Sequence, residues 1–553
     1  MFERIASYIG AEIQSRRIPG AAIAVVRAGE PVWSRGFGTA SIDAGAPMTP
    51  GTVFPVQSLS KVVTASAVMR LRDAERLSLD DAASGHMGAA QIRNEWEAES
   101  PVTVRQLLTH TSGLPCDIDA ATPQLDRTLP LSDFVNSVAK TVRRPGGDIV
   151  YANWGYDALG PLMDHLTAGS WEDFVSNEVL GPLGMSSSRI GSPIEGAPTA
   201  AGHFLSAVDG ELHSMRPMWP VQLRDTSGSI CSTVEDMARF LAAHLGGGAP
   251  VHSPETAADM QRVQASDGTP WSGMGLGWRV TRSNGQALIC HGGDGAGFTN
   301  FMGGYPDLGT GIVLMLTRGG VASARSVMAN TVLEMLTGMG EPPIEAAPAG
   351  FESFRGEYKS TYWDINAELE WERGYPAVTV TGGLVVSDGG EASRLAPLAD
   401  GAYRATGGMF HGFEVALREI AGDFALTGGL YPLAFKRAGD VAQRADLMPD
   451  ETADLTGMWR GAVTTPLGAM MLEIRVTGAK SAAISTPFAR DVSVAECGAV
   501  AGRFEGRFAV VVPGTGELVL YPRLLAVEGK LQGPVYAQGW FGELAFPAEL
   551  EKA

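Results

Sequence analysis

The stretch Thr52-Val-Phe-Pro-Val-Gln-Ser58-Leu-Ser-Lys61 decides the fold, because a Ser-x-x-Lys pair stands where a long apolar helix is predicted to begin. From Lys61 to about Leu77, apolar residues recur at helical spacing and predict one continuous buried stripe. Helix residues three apart share a face, so the Lys61 ammonium can reach the Ser58 hydroxyl. A helix N-terminus also favours a developing anion. The alternative is that Ser58 only caps the helix and Lys61 is solvated.

Two further short motifs carry polar side chains beside glycine-rich stretches. Tyr151-Ala-Asn153 follows a glycine turn and is predicted to lie in a loop at a cleft, although a core tyrosine and a turn asparagine would also explain it. His291-Gly-Gly293 follows a strand-like run and opens a glycine run to Gly295 that would let a substrate approach the backbone.

Both Ser-x-x-Lys and His-x-Gly occur elsewhere in the chain. Ser137-Val-Ala-Lys140 lies on a segment that reads as an ordinary amphipathic helix, and the histidines at His86 and His244 need no function. Sequence context therefore favours Ser58 and His291 over these copies.

The overall composition excludes several functions. The 553 residues contain 42 basic and 61 acidic side chains, and 42 − 61 gives a net charge of −19, which argues against binding nucleic acid or an anionic membrane. No run reaches the roughly 18 apolar residues of a membrane span. Phe2, Ile5, Ile9 and Ile13 predict a folded first helix and not a signal peptide. The cysteines lack metal-ligand spacing, so a reduced cytoplasmic protein is expected.

The chain divides by pattern into three predicted units. Residues 1–338 alternate strands and helices and predict a mixed α/β (α+β) domain whose antiparallel sheet is completed by both of its ends. A proline- and alanine-rich linker at 339–350 follows. Residues 351–437 and 454–553, separated by a polar linker at 438–453, show short alternating strands and a faint repeat. They predict two antiparallel β-barrels, with one larger β-domain as the alternative.

In order and spacing, the three motifs resemble those of penicillin-recognising serine hydrolases on the class C β-lactamase-like side. The resemblance covers residues 1–338 and implies a β-lactamase/transpeptidase-like catalytic domain. The two C-terminal units resemble, in layout only, those of three-domain D-aminopeptidases. Other stretches that fit the family are Leu107-Leu-Thr-His-Thr-Ser-Gly-Leu114, Gly184-Met185 and Met274-Gly-Leu-Gly-Trp278.

The resemblance implies a role for each motif residue. Ser58 would be the nucleophile, and Lys61 and Tyr151 would share its proton, with the choice of base left open. His291 takes a position that lysine holds in many β-lactamases, and would relay a proton or bind a polar group. Substrate contacts are expected from Asn153, Gly292 and Gly293, and an oxyanion hole from the backbone N–H groups of Ser58 and Asp294.

The predicted function is a peptidase or amidase on short peptides or amides, with D-residues or linearised non-ribosomal peptides as family-level options. The histidine in the third motif argues against a potent β-lactamase, and the lack of an export signal argues against a cell-wall carboxypeptidase. A carboxylesterase with weak β-lactamase activity is one alternative. A non-catalytic protein that binds peptidoglycan fragments or lipophilic ligands is another. A small-molecule or short-peptide substrate is expected, with no cofactor, metal, nucleic acid or membrane, and a homodimer stays open.

Overall fold

The computed structural model describes most of the first predicted unit and the strands beyond it. The predicted linker at 339–350 lies outside the described residues, as does most of the one at 438–453. The described residues are 1–115, 130–205, 212–214, 225–295, 297–338, 356–360, 378–381, 385–387, 392–398, 400–408, 410–420, 423–429, 435–437, 450, 452–465, 468–486, 489–493, 495–500, 503–512, 516–527, 529–539 and 542–553.

A nine-stranded antiparallel sheet forms the centre of the first unit, in the order β3-β2-β1-β14-β13-β12-β11-β10-β9. Strand β1 pairs with β14 from Ala21↔Leu316 to Val26↔Gly311, so both ends of the unit complete the sheet as predicted. The strands of this unit are β1 (Gly20–Arg27), β2 (Glu30–Ser41), β3 (Ala46–Pro47), β4 (Phe54–Pro55), β5 (Arg189–Ile190), β6 (His203–Leu205), β7 (Leu212–Ser214), β8 (Ile230–Ser232), β9 (Ala265–Thr269), β10 (Ser272–Met274), β11 (Arg279–Ser283), β12 (Gln286–Gly295), β13 (Phe298–Tyr305) and β14 (Thr310–Leu316).

Helices cover both faces of this sheet, and the alternation of side chains along β1 shows why. Ala21, Ile23 and Val25 face the cluster that contains the apolar residues of α1 and α10, whereas their neighbours along the strand face the cluster of α2 and α8. The helices are α1 (Phe2–Ser15), α2 (Ser60–Asp73), α3 (Val104–Leu108), α4 (Leu131–Val138), α5 (Asn153–Asp157), α6 (Leu159–Thr167), α7 (Trp171–Val175), α8 (Val234–Leu245), α9 (Pro254–Gln261) and α10 (Ala322–Thr337). No helix in the described ranges combines the length and hydrophobicity that a membrane crossing needs.

Helix α2 departs from its prediction in extent and in burial. It begins at Ser60 and ends at Asp73, and every residue from Ser60 to Met69 is buried, which exceeds the one predicted stripe. Its polar side chains can be buried because each finds a partner. Thr64 Oγ1, for example, donates to the Thr226 carbonyl at 2.7 Å. The helix is therefore the central element of the domain, enclosed between the sheet and the other helices.

Two antiparallel β units follow, each formed by one sheet, and no strand ladder among the described residues joins one to the other. In the first, the pairing order returns from β22 to β15. In the second, nine strands run from β26 to β27, and no ladder joins these two end strands in the part of the chain described. The strands are β15 (Gly356–Ser360), β16 (Val378–Thr381), β17 (Val385–Ser387), β18 (Ala392–Pro397), β19 (Tyr403–Thr406), β20 (Glu414–Ile420), β21 (Asp423–Gly428), β22 (Phe435–Arg437), β23 (Gly457–Thr465), β24 (Gly468–Gly478), β25 (Ser481–Thr486), β26 (Ala489–Ser493), β27 (Ala495–Val500), β28 (Arg503–Val512), β29 (Gly516–Val527), β30 (Lys530–Gly539) and β31 (Gly542–Lys552).

The faint internal repeat has a structural counterpart. In each unit the first strand pairs with the last, Tyr358 with Arg437 in one and Trp459 with Lys552 in the other. The two similar sequence stretches at the start of each unit are those that contain Tyr358 and Trp459. The repeat therefore marks equivalent strands in the two units.

The first β unit is joined to the edge of the catalytic sheet by buried polar contacts. Arg279 of β11 has almost no exposed surface and donates to Asp267 at 2.7 Å, to Ser272 at 2.6 Å and to the Gly429 carbonyl at 3.1 Å. Ser283 Oγ donates to the Gly412 carbonyl at 2.5 Å. The sheet edge and the β unit therefore share one polar network.

Candidate active site

Ser58 and Lys61 lie in contact at the start of the central helix. Ser58 occupies a short 3₁₀ turn, Gln57–Leu59, that directly precedes α2. Lys61 Nζ donates to Ser58 Oγ at 3.0 Å and to the Ser227 carbonyl at 2.9 Å, and the lysine has 0% exposed surface. A buried ammonium is costly unless acceptors surround it, so these contacts fix the amine beside the hydroxyl.

The segment 225–228 holds Lys61 from the other side, and the sequence interpretation did not include it. Asp225 accepts hydrogen bonds from the Gly228 amide at 2.6 Å and from Ser227 Oγ at 3.2 Å. Asp157, on α5, accepts from the Ser227 amide at 3.1 Å. The Asp-Thr-Ser-Gly composition is typical of a turn, but no side-chain pattern shows that its carbonyl faces a lysine.

Tyr151 and Asn153 reach the same region from an extended segment that leads into α5. Tyr151 is buried, and Lys61 Nζ lies 4.9 Å from the centroid of its ring and 5.8 Å from that of Tyr156. A cation over aromatic faces in a desolvated site is favoured electrostatically. Asn153 is half-buried and is the first residue of α5. The predicted loop therefore ends at Ala152, inside the motif.

His291 is buried in strand β12, which continues through the glycine run to Gly295. Its Nδ1 lies 2.6 Å from the Gly292 carbonyl, and this contact requires the proton on Nδ1 and leaves a lone pair on Nε2. Burial, followed by the charge on Lys61, lowers the pKa of His291 from its usual 6.5 to about 3. The ring is therefore neutral at physiological pH, and its centroid lies 6.4 Å from that of Tyr151.

Gly293 and Gly295 pack closely against the turn that carries Ser58. A Cβ on Gly293 would lie 2.4 Å from the Val56 carbonyl oxygen, and one on Gly295 would lie 2.8 Å from Gln57 Oε1. Gly292 lies buried between His291 and Gly293 in the same strand. The strand thus runs directly beside the turn that carries Ser58.

A buried arginine, absent from the predicted set, fastens the end of this strand. Arg325 of α10 is fully buried and donates to the Asp294 carboxylate at 2.5 Å and to the Asn300 carbonyl at 3.4 Å. Asn300 Nδ2 in turn donates to the Pro55 carbonyl, three residues before Ser58. These bonds connect the third motif to the first and hold Asp294, the predicted second oxyanion donor, beside the turn.

All predicted site residues therefore come from three elements that meet around the start of α2. Cys231 and Cys290 are buried, unpaired thiols near this region. Within the described ranges, no three or more His, Cys, Asp or Glu side chains cluster as metal ligands do. What the arrangement can do chemically is activate a serine hydroxyl with an adjacent amine in a largely enclosed site.

Comparisons with known proteins agree with this geometry. The family model described as Beta-lactamase matches residues 5–336. Penicillin-binding protein 4 of Amycolatopsis lactamdurans is 31% identical over 352 residues, which cover 60% of this chain and 89% of that protein. Protein flp of Staphylococcus aureus is 30% identical over 186 residues, and the match spans only 37% of its length.

Solved structures extend the likeness beyond the first unit. The octameric penicillin-binding protein homologue of Pyrococcus abyssi matches with a TM-score of 0.54 and 22% identity, over 87% of this chain and 98% of that one. SurE matches with a TM-score of 0.52 and 22% identity, over 78% of this chain and 98% of its own. At this identity the matches establish a common fold.

Proposed function

The chain belongs to the beta-lactamase family of serine hydrolases, and we propose that within it the protein is a peptidase or amidase that cleaves short peptides or amides through an acyl-enzyme on Ser58. The observation that carries the proposal is the 3.0 Å contact between Lys61 Nζ and Ser58 Oγ, made by a lysine with no exposed surface. A serine hydroxyl is a poor nucleophile at neutral pH, and such a neighbour is what its activation requires.

In the proposed reaction, Ser58 Oγ attacks the substrate carbonyl carbon while its proton passes to Lys61 or Tyr151. The negative charge on the carbonyl oxygen would be held by the backbone N–H groups of Ser58 and Asp294, and each such donor contributes about 3–4 kcal/mol to the transition state. The departing amine takes up the proton, which leaves an ester on Ser58. Water then attacks this ester and releases the acid. Asn153 would orient the substrate amide.

His291 supports an amide substrate over one recognised by a free carboxylate. A lysine at this place would offer a cation, whereas His291 is neutral and presents a hydrogen-bond acceptor at Nε2. An acceptor matches an amide N–H or an amino group, while a carboxylate beside an uncharged imidazole lone pair would be repelled. We therefore infer a substrate with an N–H group near the cleaved bond.

A preference for D-residues is the finer part of the proposal. SurE, which shares the fold, has also been solved with D-Leu. That ligand belongs to SurE, and for this chain it only selects the compounds to try first. Linearised non-ribosomal peptides that contain D-residues are the corresponding larger substrates.

The experiment compares four substrates with wild-type protein, Ser58→Ala and the matched control Ser137→Ala. The substrates are D-alanine p-nitroanilide, its L-isomer, the N-acetylated D-isomer and p-nitrophenyl butyrate. We expect turnover of at least one anilide, loss of about 10³-fold or more in Ser58→Ala, and no more than twofold change in Ser137→Ala. Mass spectrometry after a fluorophosphonate probe should place the label on Ser58.

Each other outcome rejects a defined part of the proposal. Anilide hydrolysis unchanged in Ser58→Ala would remove the nucleophile. Turnover of the butyrate alone would make the protein a carboxylesterase. No turnover together with no labelling of Ser58 would favour a binding protein.

We further propose that both C-terminal units are β-barrels and that the protein acts in the cytoplasm. The barrel proposal is supported by the pairing that returns from β22 to β15 and by the equivalent pairing of first and last strands in the second unit. Limited proteolysis that cuts the chain first within 339–350 and 438–453 would support the division at these linkers. Cell fractionation with an antibody to the protein tests the compartment.

A further inference from the structure

His110 lies directly behind the segment that carries Tyr151, and it is buried with 1% exposed surface. Its backbone carbonyl accepts the N–H of Val150 at 2.8 Å, and its Nδ1 accepts the N–H of Ala152 at 3.1 Å. The residues on both sides of Tyr151 are therefore bound to one histidine. No substrate or proton role had been predicted for it.

The same imidazole also contacts the aromatic side chains of the site. Its ring centroid lies 4.3 Å from that of Tyr151 and 5.1 Å from that of Tyr156. Contacts at this distance between tilted rings are favourable beyond simple burial. His110 thus restrains both the backbone and the ring of Tyr151.

These contacts need the histidine to be neutral. A protonated imidazole has no lone pair, so it could not accept the Ala152 N–H at Nδ1. Burial, with a smaller contribution from the charge on Lys61, holds the pKa of His110 well below its usual value. The remaining proton is on Nε2, which has no hydrogen-bond partner among the described residues.

The backbone of His110 is strained in a way that makes the double contact feasible. Its φ of 58° is in the left-handed region, which costs a non-glycine residue about 1–2 kcal/mol. The surrounding turn stabilises it, because the Thr111 amide donates to the Gln106 carbonyl and the Gly146 amide donates to the Thr111 carbonyl. Strain that the surroundings enforce is often found where a functional group must be oriented.

We propose that His110 is a positioning residue that sets the place of Tyr151 relative to Lys61 and Ser58 during acylation. The inference rests on the proposed function, because the position of Tyr151 matters only if Tyr151 takes part in acyl transfer. His110 acts through its Nδ1 acceptor and its ring contact, and it exchanges no proton with the substrate. Misplacement of a reacting group by about 1 Å can reduce the rate about 10²-fold.

Two substitutions of similar shape test whether the hydrogen-bond acceptor of His110 matters or only the volume of its side chain. In His110→Asn, the amide oxygen takes the place of Nδ1, and asparagine tolerates left-handed backbone. His110→Leu has the same branching without an acceptor. We expect kcat for the best anilide to fall about 10²-fold in His110→Leu and less than about 10-fold in His110→Asn, with KM within about threefold in both. Equal kcat in the two variants would overturn the proposal.

A double-mutant cycle tests whether His110 acts through Tyr151. The second-order rate of fluorophosphonate labelling is measured for wild type, His110→Leu, Tyr151→Phe and the double variant. We expect the effect of His110→Leu to shrink from about 10²-fold to less than about 10-fold when Tyr151 is already phenylalanine. An effect of the same size in both backgrounds would assign His110 a general structural role and overturn the proposal.

His244→Leu is the matched control, since His244 is also buried, and the rings it contacts are those of Phe240, His252 and Trp278. It should lower the melting temperature and leave kcat within about threefold. If the proposed function is wrong, the result is different, because labelling and turnover would then survive in Ser58→Ala. Loss in Ser58→Ala together with an additive cycle would reject the role of His110 alone.

Discussion

The chain contains two Ser-x-x-Lys sequences, and their lysines lie in opposite surroundings. Lys61 has no exposed surface and donates to Ser58 Oγ and to the Ser227 carbonyl. The side chain of Lys140 is 51% exposed, lies just beyond α4 and pairs with Glu95 at 3.2 Å. A buried ammonium must be satisfied by fixed acceptors, whereas water satisfies an exposed one. The comparison shows that the spacing supplies only the reach, and that the surrounding chain decides whether a lysine can activate a serine.

The largest expected effect comes from removing each lysine in turn. Lys61→Met should lower kcat/KM for the best anilide about 10³-fold, because Ser58 loses the neighbouring amine that its proposed activation requires. Lys140→Met should change it by less than about twofold. Steady-state kinetics on both variants measure this. Similar losses in the two variants would mean that the surroundings do not distinguish the copies.

A second effect is expected at strand β12, which runs directly beside the turn that carries Ser58. Gly293→Ala places a Cβ 2.4 Å from the Val56 carbonyl, so the strand or the Ser58 turn must shift, and we expect about 10²-fold lower kcat. Gly85→Ala is the control, because its Cβ meets nothing within 4 Å. Kinetics together with the melting temperature separate displacement from unfolding. Full activity in Gly293→Ala would show that the turn tolerates movement.

The pH dependence sharpens the comparison further. Because the pKa of His291 is lowered to about 3, the ring is neutral both above and well below pH 6.5. We therefore expect that His291 contributes no inflection near pH 6.5 to the pH profile of kcat/KM. An inflection found there in the wild type should also be found in His291→Asn, and that variant should be about 10-fold or more slower at every pH. Rates between pH 4 and 10 test this. An inflection near 6.5 that depends on His291 would contradict its burial.

The same histidine should make folding sensitive to acid. Unfolding raises its pKa back to about 6.5, so the unfolded chain binds the proton first as the pH falls. The free energy of unfolding is then highest above pH 6.5 and declines toward pH 3, by about 2 kcal/mol for this group between pH 7 and pH 5. Urea unfolding of wild type and His291→Asn should show a smaller decline in the variant. An equal decline would assign the acid sensitivity to other groups.

The smallest effect is expected at the second Ser-x-x-Lys sequence, whose Lys140 is exposed. Glu95→Gln removes the partner of Lys140, and since both side chains are more than half exposed, the free energy of unfolding should change by less than about 1 kcal/mol. Urea unfolding at two salt concentrations measures it. A larger loss would mean that the second copy has a structural role.

Much of the fold could be predicted from the periodicity of apolar residues, and the predictions that failed have one cause. The paired ends of the catalytic sheet and helix α1 follow directly from apolar spacing. The apolar spacing predicts one buried stripe on helix α2, but the polar residues Thr64 and Ser66 are also buried, with partners from distant segments. Such partners are tertiary, and local periodicity contains no record of them.

The candidate site shows the same limit. The residues of its three motifs could be chosen from their spacing and order, and the structure brings them to one place. The Ser227 carbonyl could not be found, because every residue has a carbonyl and only the fold directs this one to Lys61. The glycine run after His291 predicts an approach of substrate to the backbone, and it contains no sign of the close contact that Gly293 makes with Val56. A glycine in a sequence does not reveal whether the space beside it is empty or filled.

The Arg279 network has a consequence for how the protein comes apart. Its guanidinium is enclosed by Asp267, Ser272 and the Gly429 carbonyl, and the last belongs to the first β unit. Removing the first β unit would take the acceptor from Arg279 Nε and expose the buried pair of Arg279 and Asp267 to water, which weakens the attraction between them. The two units should therefore melt in a single calorimetric transition. Anyone who transplants the hydrolase into another protein would have to move residues 1–437 as one block.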